Sequence, residues 1–149
     1  MISRFFTRKM VSKTQAENTY QLAKNAAIHA LETLGNGHSE KTYECVIQNY
    51  LYDRRVPTKR QARYFTKVDE NMIETGILDI EVNHSVLLEL KVGHDTINND
   101  HKVQLRRYLR SARQNKPYDV LIAAVFLFSK KGTLIIHKVT DSPTDNRVK

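Results

Sequence analysis

Apolar residues recur every three to four positions in the first third of the chain, and afterwards mostly every second position or in unbroken runs. The first spacing is typical of amphipathic helices, and the second is typical of strands. The pattern predicts helices over residues 15–34, from residue 39 to the segment before Pro57, and over residues 99–113. It predicts strands over residues 62–68, 73–82, 86–92, 118–128 and 133–139.

The order of these elements is α, α, β, β, β, α, β, β, which indicates an α/β fold with a mixed central β-sheet flanked by helices. Residues 118–128, YDVLIAAVFLF, form a nearly continuous apolar run, which is typical of a central strand buried on both faces. A length of 149 residues suits one domain, which we place at residues 15–140. Residues 1–14 predict a basic arm that is disordered or serves targeting, and residues 141–149 predict a polar tail.

The chain carries 24 Lys and Arg against 16 Asp and Glu, a net charge of +8 at pH 7. Such an excess favours nucleic acid as the partner, ahead of an anionic membrane surface; a merely soluble basic protein is the alternative. Because no apolar run approaches the ~20 residues of a membrane helix, we expect no membrane partner. We expect an intracellular location, cytoplasmic or nuclear, or mitochondrial if the basic start is a transit peptide.

Two acidic residues fall on strands that a short turn, Asn83-His84, joins into a hairpin. Alternation along the second strand, SVLLELKVGH, sets Leu87, Glu89 and Lys91 on one face and the apolar residues Val86, Leu88, Leu90 and Val92 on the other. On the first strand the same rule groups Leu78, Ile80 and Val82 against Ile77, Asp79 and Glu81. If the pairing is regular, Asp79 and Glu89 point the same way from adjacent strands.

Two converging carboxylates repel each other and therefore need a cation. Mg²⁺ is the cation that such a pair usually binds, and one or two carboxylates hold it together with water and substrate phosphate. Mn²⁺ is the alternative metal. Lys91, on the same face, can orient or deprotonate a water, or stabilise charge on a phosphate in the transition state. The spacing Asp79, Glu89, Lys91 is weak by itself, because acidic residues and lysines are common.

Four segments together resemble the PD-(D/E)XK nuclease superfamily, and in particular its group of small restriction-endonuclease-like proteins with a Gly-x-x-Glu-x-x-Tyr motif. They are GHSEKTYECVIQNYL (37–51), with Glu40 and Tyr43 at the motif positions; Arg60-Gln61, which resembles a pair ahead of the first strand; GILDIEVNHSVLLELKV (76–92), which matches the metal hairpin; and HKVQLRRYL (101–109), with Gln104 at the position of a family glutamine. Arg107 departs from the family, which has asparagine there.

The resemblance implies an αβββαβ core and hydrolysis of phosphodiester bonds that depends on Mg²⁺ or Mn²⁺, with DNA favoured over RNA and with a homo-oligomer as one possible assembly. It implies Asp79 and Glu89 as metal ligands, supported by Glu40, and it implies catalytic roles for Lys91 and Gln104. A backbone carbonyl near Leu90 is a further candidate ligand.

The helical spacing around Glu40 and Gln104 agrees with these roles without requiring them. Glu40 shares a stripe with Tyr43 and Ile47 and therefore faces the sheet, although an acidic residue in a first turn also serves the helix dipole. Gln104 shares a stripe with Tyr108, which directs its amide toward Lys91 or an attacking water; an amide at the edge of the core is the alternative.

Basic residues on the third helix predict contacts with phosphates. Lys102, Arg106, Arg110 and Arg113 recur at spacings of four, four and three, beside the Gln104 face and with Arg107 adjacent. Arg60 and Arg63 are further candidates for contact with the nucleic-acid backbone. Two other functions stay open: a nucleic-acid-binding module without turnover, and a structural protein in which Glu89 pairs with Lys91 and Asp79 with an arginine.

Overall fold

The computed structural model of the chain describes residues 12–115 and 121–141. Within these residues the chain forms three helices and five strands. They are α1 (Lys13–Leu34), α2 (Glu40–Asp53), β1 (Thr58–Val68), β2 (Asn71–Val82), β3 (Val86–Val92), α3 (Asn99–Asn115), β4 (Leu121–Phe128) and β5 (Leu134–Asp141). The order matches the prediction, and the mixed sheet with flanking helices confirms the α/β fold class.

Several predicted boundaries need correction. Helix α1 begins at Lys13, because the side chains of Ser12 and Gln15 form a capping box at its start. Strand β1 begins at Thr58, so Arg60 and Gln61 lie within the strand and not ahead of it. Residues 1–11 of the predicted arm, residues 118–120 of the predicted strand and residues 142–149 of the predicted tail lie outside the described residues.

The five strands form one sheet in the order β1-β2-β3-β4-β5. Three of the neighbouring pairs are antiparallel, and β3 and β4 are parallel. A parallel pair needs a crossover between its strands, and α3 lies in this crossover. The sheet therefore has α1 and α2 on one face and α3 on the other.

Each face of the sheet has its own apolar core. On the α1 and α2 side, alanines line the buried stripe of α1, and the ring of Tyr43 stacks on Phe128 with 4.0 Å between the ring centroids. On the α3 side, Leu105 and Tyr108 pack against the sheet. Strand β4 contributes to both cores and is buried throughout residues 122–128, which confirms the predicted burial on two faces.

Strands β1 and β2 change faces at one position, and this overturns part of the predicted alternation. Ile80 and Val82 pack in the core beneath α1 and α2, whereas Leu78 packs in the core beneath α3. Regular pleating would place all three on the same face. The residue between the two sides is Asp79. The grouping of Leu78 with Ile80 and Val82 was therefore wrong, whereas the alternation predicted for β3 is confirmed.

Beyond this position the sheet forks. Strand β2 pairs with β3 only over Ile80–Val82, while β3 continues beside β4 as far as Val92. The rest of β2 pairs with β1 alone, in a two-stranded arm whose turn is at Asp69. Asp79 lies where the arm leaves the sheet. None of the helices in the described part of the chain is long and apolar enough to cross a membrane.

Candidate active site

Asp79 and Glu89 face each other across the fork between β2 and β3. The backbone amide of Leu90 donates a hydrogen bond to Asp79 Oδ2 at 2.7 Å. In return, the backbone amide of Asp79 donates to Glu89 Oε1 at 3.3 Å. Side-chain carboxylates thus accept hydrogen bonds where the ladder between the two strands has ended. The convergence predicted for the two acids is present, although it comes from an interrupted ladder and not from a regular one.

The acidic pair carries unfavourable electrostatics. Glu89 is 3% exposed. Burial, followed by the charge of Asp79, raises the pKa of Glu89 to about 9. The nearby Lys91 lowers that pKa but does not offset the other two effects. Without a further cation, the pair of Asp79 and Glu89 therefore resists carrying two negative charges.

Lys91 lies beside the acidic pair on the same strand. Its Nζ is 3.7 Å from Glu89 Oε2, and about a fifth of its side chain is exposed. Because the ammonium group faces the carboxylates and the side chain is partly exposed, Lys91 can contact a group that enters the fork. The predicted neighbourhood of Glu89 and Lys91 on one face of β3 is present.

Glu40, the first residue of α2, comes close to Asp79 and Lys91 from the other face of the sheet. Burial raises the pKa of Glu40, and the charges of Asp79 and Glu44 add to this effect. Lys91 and a hydrogen bond from the backbone amide of Val92 act in the opposite direction. These interactions place the Glu40 carboxylate near Asp79 of β2 and near the end of β3 at Val92, and the helical stripe had predicted that Glu40 faces the sheet.

Gln104 reaches the fork through Tyr108. The Tyr108 hydroxyl donates to the carbonyl oxygen of Ile77 at 2.7 Å and accepts from Gln104 Nε2 at 3.2 Å. Burial, followed by the charge of Glu89, raises the pKa of Tyr108 to about 12. The ring lies against Gly76, where a Cβ would be 2.5 Å from Cε1. Gln104 therefore lies on the side of α3 that faces β2, and the direction of its amide toward Lys91 or an attacking water stays a prediction.

The predicted basic stripe lies along the other edge of α3. Lys102 and Arg106 are close enough to His137, on β5, that their charges add to burial in lowering its pKa. Gln104, by contrast, faces β2. The stripe was expected beside the Gln104 face, and the structure instead separates the two by the buried face of the helix. Arg106, Arg107 and Arg110 are exposed.

The two arginines predicted from β1 differ in their surroundings. Arg60 Nε lies 2.7 Å from Glu44 Oε1, and a quarter of the Arg60 side chain is exposed. Arg63 forms a looser pair with Glu74 at 3.5 Å and is mostly exposed. A phosphate contact is therefore more accessible to Arg63 than to Arg60.

A family model for the PD-(D/E)XK nuclease superfamily matches residues 16–125. The match includes both strands of the fork, α2 and α3. The chain belongs to the PD-(D/E)XK nuclease superfamily. The mixed five-stranded sheet with flanking helices is consistent with the restriction-endonuclease-like fold of that superfamily. The narrower Gly-x-x-Glu-x-x-Tyr group stays a prediction.

Other comparisons add little to this assignment. A search of curated proteins finds no match to the chain. Among solved structures, the crystal structure of SSO0001 is similar to this chain, with a TM-score of 0.48 and 13% sequence identity. The match covers 87% of this chain and 61% of the SSO0001 chain.

The donor atoms of this PD-(D/E)XK protein suit a hard divalent cation. Among the described residues, no cluster of three or more His, Cys, Asp and Glu side chains is arranged to hold a metal ion. Asp79 and Glu89 nevertheless bring carboxyl oxygens to one place, and the raised pKa of Glu89 means that a second negative charge there needs a further cation. Mg²⁺ is commonly bound through one or two carboxylates, with water and substrate phosphates completing its shell. The residues present fit such an ion.

Two buried acids near the site were not among the predicted site residues. Glu44 forms the ion pair with Arg60, and Glu81 accepts a hydrogen bond from the Tyr64 hydroxyl at 3.2 Å. Glu44 lies one helical turn after Glu40 and shares a side of α2 with the buried residues Ile47 and Leu51. An acidic residue on the buried side of a helix was the signal that could have identified Glu44. An analysis that considers only apolar residues does not detect it.

Proposed function

We propose that this protein is a divalent-metal-dependent nuclease that hydrolyses phosphodiester bonds in nucleic acid, with DNA favoured over RNA and Mg²⁺ or Mn²⁺ as cofactor. Members of the superfamily are typically nucleases. The observation that carries the proposal is the contact of half-buried Asp79 with buried Glu89, where burial, followed by the charge of Asp79, raises the pKa of Glu89 to about 9. An acidic pair of this kind in a fork open to Lys91 suits a cation and a phosphate.

Each residue of the fork has a role in this proposal. Asp79 and Glu89 hold the metal, and Glu40 supports the metal or its water from α2. When bound, the cation polarises the phosphate and lowers the pKa of a bound water. Lys91 stabilises negative charge on the phosphate or orients the attacking water, because its ammonium group faces the acidic pair.

Gln104 orients a reacting water in the proposed function. The hydroxyl proton of Tyr108 is donated to the Ile77 carbonyl, so that hydroxyl can only accept from Gln104. The amide nitrogen of Gln104 is therefore directed to Tyr108, and its carbonyl oxygen is left as an acceptor for a water.

The substrate reaches the fork along basic surfaces. Arg63 on the arm and the exposed arginines of α3 favour contact with phosphates. We also propose that the protein is intracellular. Its assembly into a homo-oligomer stays a prediction. The second candidate, a nucleic-acid-binding module without turnover, is less favoured because the buried Glu89 beside a second acid is costly to keep without a metal.

The test is a cleavage assay on single-stranded, duplex and branched DNA and on RNA, with Mg²⁺ or Mn²⁺ and with EDTA. We expect cleavage that EDTA abolishes. Asp79→Asn, Glu89→Gln and Lys91→Ala should each lower the rate by about a hundredfold or more, the usual size of such losses at charge-stabilising groups. Lys91→Ala should leave nucleic-acid affinity largely in place.

Glu74→Gln is the matched control. Glu74 lies on the same strand as Asp79, but it is exposed on the arm and pairs with Arg63. Its substitution should leave the cleavage rate within about twofold, since surface pairs contribute little. Binding that is sensitive to salt, without cleavage under any metal condition, would support the binding module instead. Absence of both metal binding and nucleic-acid affinity would leave a structural protein.

A further inference from the structure

Glu44 makes a dense set of polar contacts beneath the sheet. It is 2% exposed, and its Oε1 accepts from Arg60 Nε at 2.7 Å. The side-chain nitrogen of Gln61 lies 3.2 Å from each of the two carboxylate oxygens of Glu44. A buried carboxylate needs such partners, but two consecutive residues of a regular strand point to opposite faces. Both side chains can reach Glu44 only because the strand is irregular there.

The irregularity is visible in the backbone of Gln61, which has φ +52°. This left-handed conformation is uncommon for residues other than glycine. At Gln61 the alternation of side chains along β1 changes faces, a feature called the reversal below. Arg60 therefore faces α2, while Ala62, two residues later, is buried beneath α3. The contacts of Gln61 with Glu44 hold a conformation that this residue type seldom adopts by itself.

The reversal lies directly across from Asp79. In the pairing of β1 with β2, Arg60 faces Ile80 and Ala62 faces Leu78. Gln61 and Asp79 occupy the position between these two pairs, and β2 changes faces at that same position. Freed from the ladder, Asp79 turns its amide and carboxylate toward Glu89 and Leu90 of β3.

We propose that Glu44 is a positioning residue that, through Arg60 and Gln61, holds the paired reversal of β1 and β2 and so places the Asp79 carboxylate against Leu90. Its benefit for metal binding rests on the proposed function, whereas the placement itself does not. Glu44 acts through the backbone opposite Asp79 and holds neither metal nor substrate.

The experiment uses three variants and the exchange rate of the Leu90 amide, followed by NMR in the metal-free full chain. Gln61→Val introduces a β-branched residue that resists positive φ, Gln61→Gly permits it, and Glu44→Gln removes the charge. The exchange rate of the Phe126 amide, in the central strand, serves as the reference for global opening. In Gln61→Val and Glu44→Gln, the ratio of the protection of the Leu90 amide to that of the Phe126 amide should fall by about tenfold or more. Gln61→Gly should stay within about threefold of the wild type.

Asp69 provides a matched control, because its φ of +55° puts the same demand on the backbone at the far turn of the arm. Asp69→Val should change the exchange of Leu90 and Phe126 together or not at all. The inference is overturned if Gln61→Val and Glu44→Gln leave the ratio of Leu90 to Phe126 unchanged, or if Asp69→Val alters that ratio as strongly as they do.

Mn²⁺ affinity, measured by titration without substrate, gives a second readout. Gln61→Val and Glu44→Gln should weaken Mn²⁺ binding by about tenfold or more, the scale expected for groups that orient metal ligands, with Asp69→Val unaffected. If the wild type binds no Mn²⁺, the metal dependence of the proposed function is refuted. The exchange rate of the Leu90 amide still decides whether Glu44 places Asp79. If the wild type binds Mn²⁺ and the variants bind it equally well, the benefit of Glu44 for metal binding is refuted and the proposed function stands, whereas the placement of Asp79 is decided by the Leu90 exchange.

Discussion

Replacing Gly76 by alanine tests how tightly α3 is fitted to β2. The added Cβ would lie 2.5 Å from Cε1 of Tyr108 and 3.2 Å from Cζ, whereas carbon atoms prefer about 3.5–4.0 Å. The Tyr108 ring, 5% exposed, must therefore move by about an ångström. Such a movement strains the 2.7 Å hydrogen bond to Ile77. We expect Gly76→Ala to lower the free energy of unfolding by about 1–3 kcal/mol, the usual cost of overpacking.

A double-mutant cycle measured by urea denaturation separates the clash from other effects. Tyr108→Leu removes the ring, so Gly76→Ala should cost at least about 1 kcal/mol less in that background, a coupling typical of residues in contact. Gly37→Ala is the comparison, because Gly37 has φ +89° and an empty surrounding space. Its cost is backbone strain and should not respond to Tyr108→Leu. An equal cost of Gly76→Ala in both backgrounds would refute this account of the contact.

Two further predictions concern single groups. Because the pKa of Glu89 is raised to about 9 in the folded metal-free protein, its contribution to stability is greatest below its unfolded pKa near 4.5. That contribution is lost as pH rises toward 9, by at most about 1.4 kcal/mol per pH unit. Urea denaturation across this range should show the loss in the wild type relative to Glu89→Gln, and parallel curves would contradict the raised pKa. Tyr43→Phe removes a 2.6 Å hydrogen bond to the carbonyl of Gly35, which is exposed to water, and should cost about 0.5–1.5 kcal/mol in thermal unfolding. An altered Mn²⁺ affinity in Tyr43→Phe would argue against a purely structural hydroxyl.

The sequence predicted the order of elements and the members of the acidic site because these follow from short-range regularities. The alternation around Glu89 depends on its nearest neighbours in β3, and the stripe of Glu40 and Tyr43 depends on one turn of α2. Both rules hold wherever the element is regular. The predicted fold class and the approach of Glu40, Asp79, Glu89 and Lys91 are therefore present in the structure.

The reversal at Asp79 was not predictable by the same means. A glycine at position 61 would have indicated positive φ, but the residue is glutamine. Its conformation is supported by Glu44, which lies 17 residues earlier on a different element. Alternation carried through Asp79 without interruption consequently misplaced Leu78. The position of the basic stripe relative to Gln104 also depended on how α3 is rotated over the sheet.

The reversal has a chemical consequence that regular pleating could not provide. In an uninterrupted antiparallel ladder, backbone groups of β2 would occupy the amide of Leu90, and an acid at position 79 would extend from one face of the sheet. Here the ladder stops at Ile80 and Leu88, and a carboxylate accepts the hydrogen bond of Leu90. The Asp79 side chain thus lies between the strands, within reach of groups from both faces: Glu40 from the α2 side, and Glu89 and Tyr108 from the α3 side. Because the strands separate here, acids from the two faces of the sheet come to one place, and the fork is therefore where the proposed metal would bind.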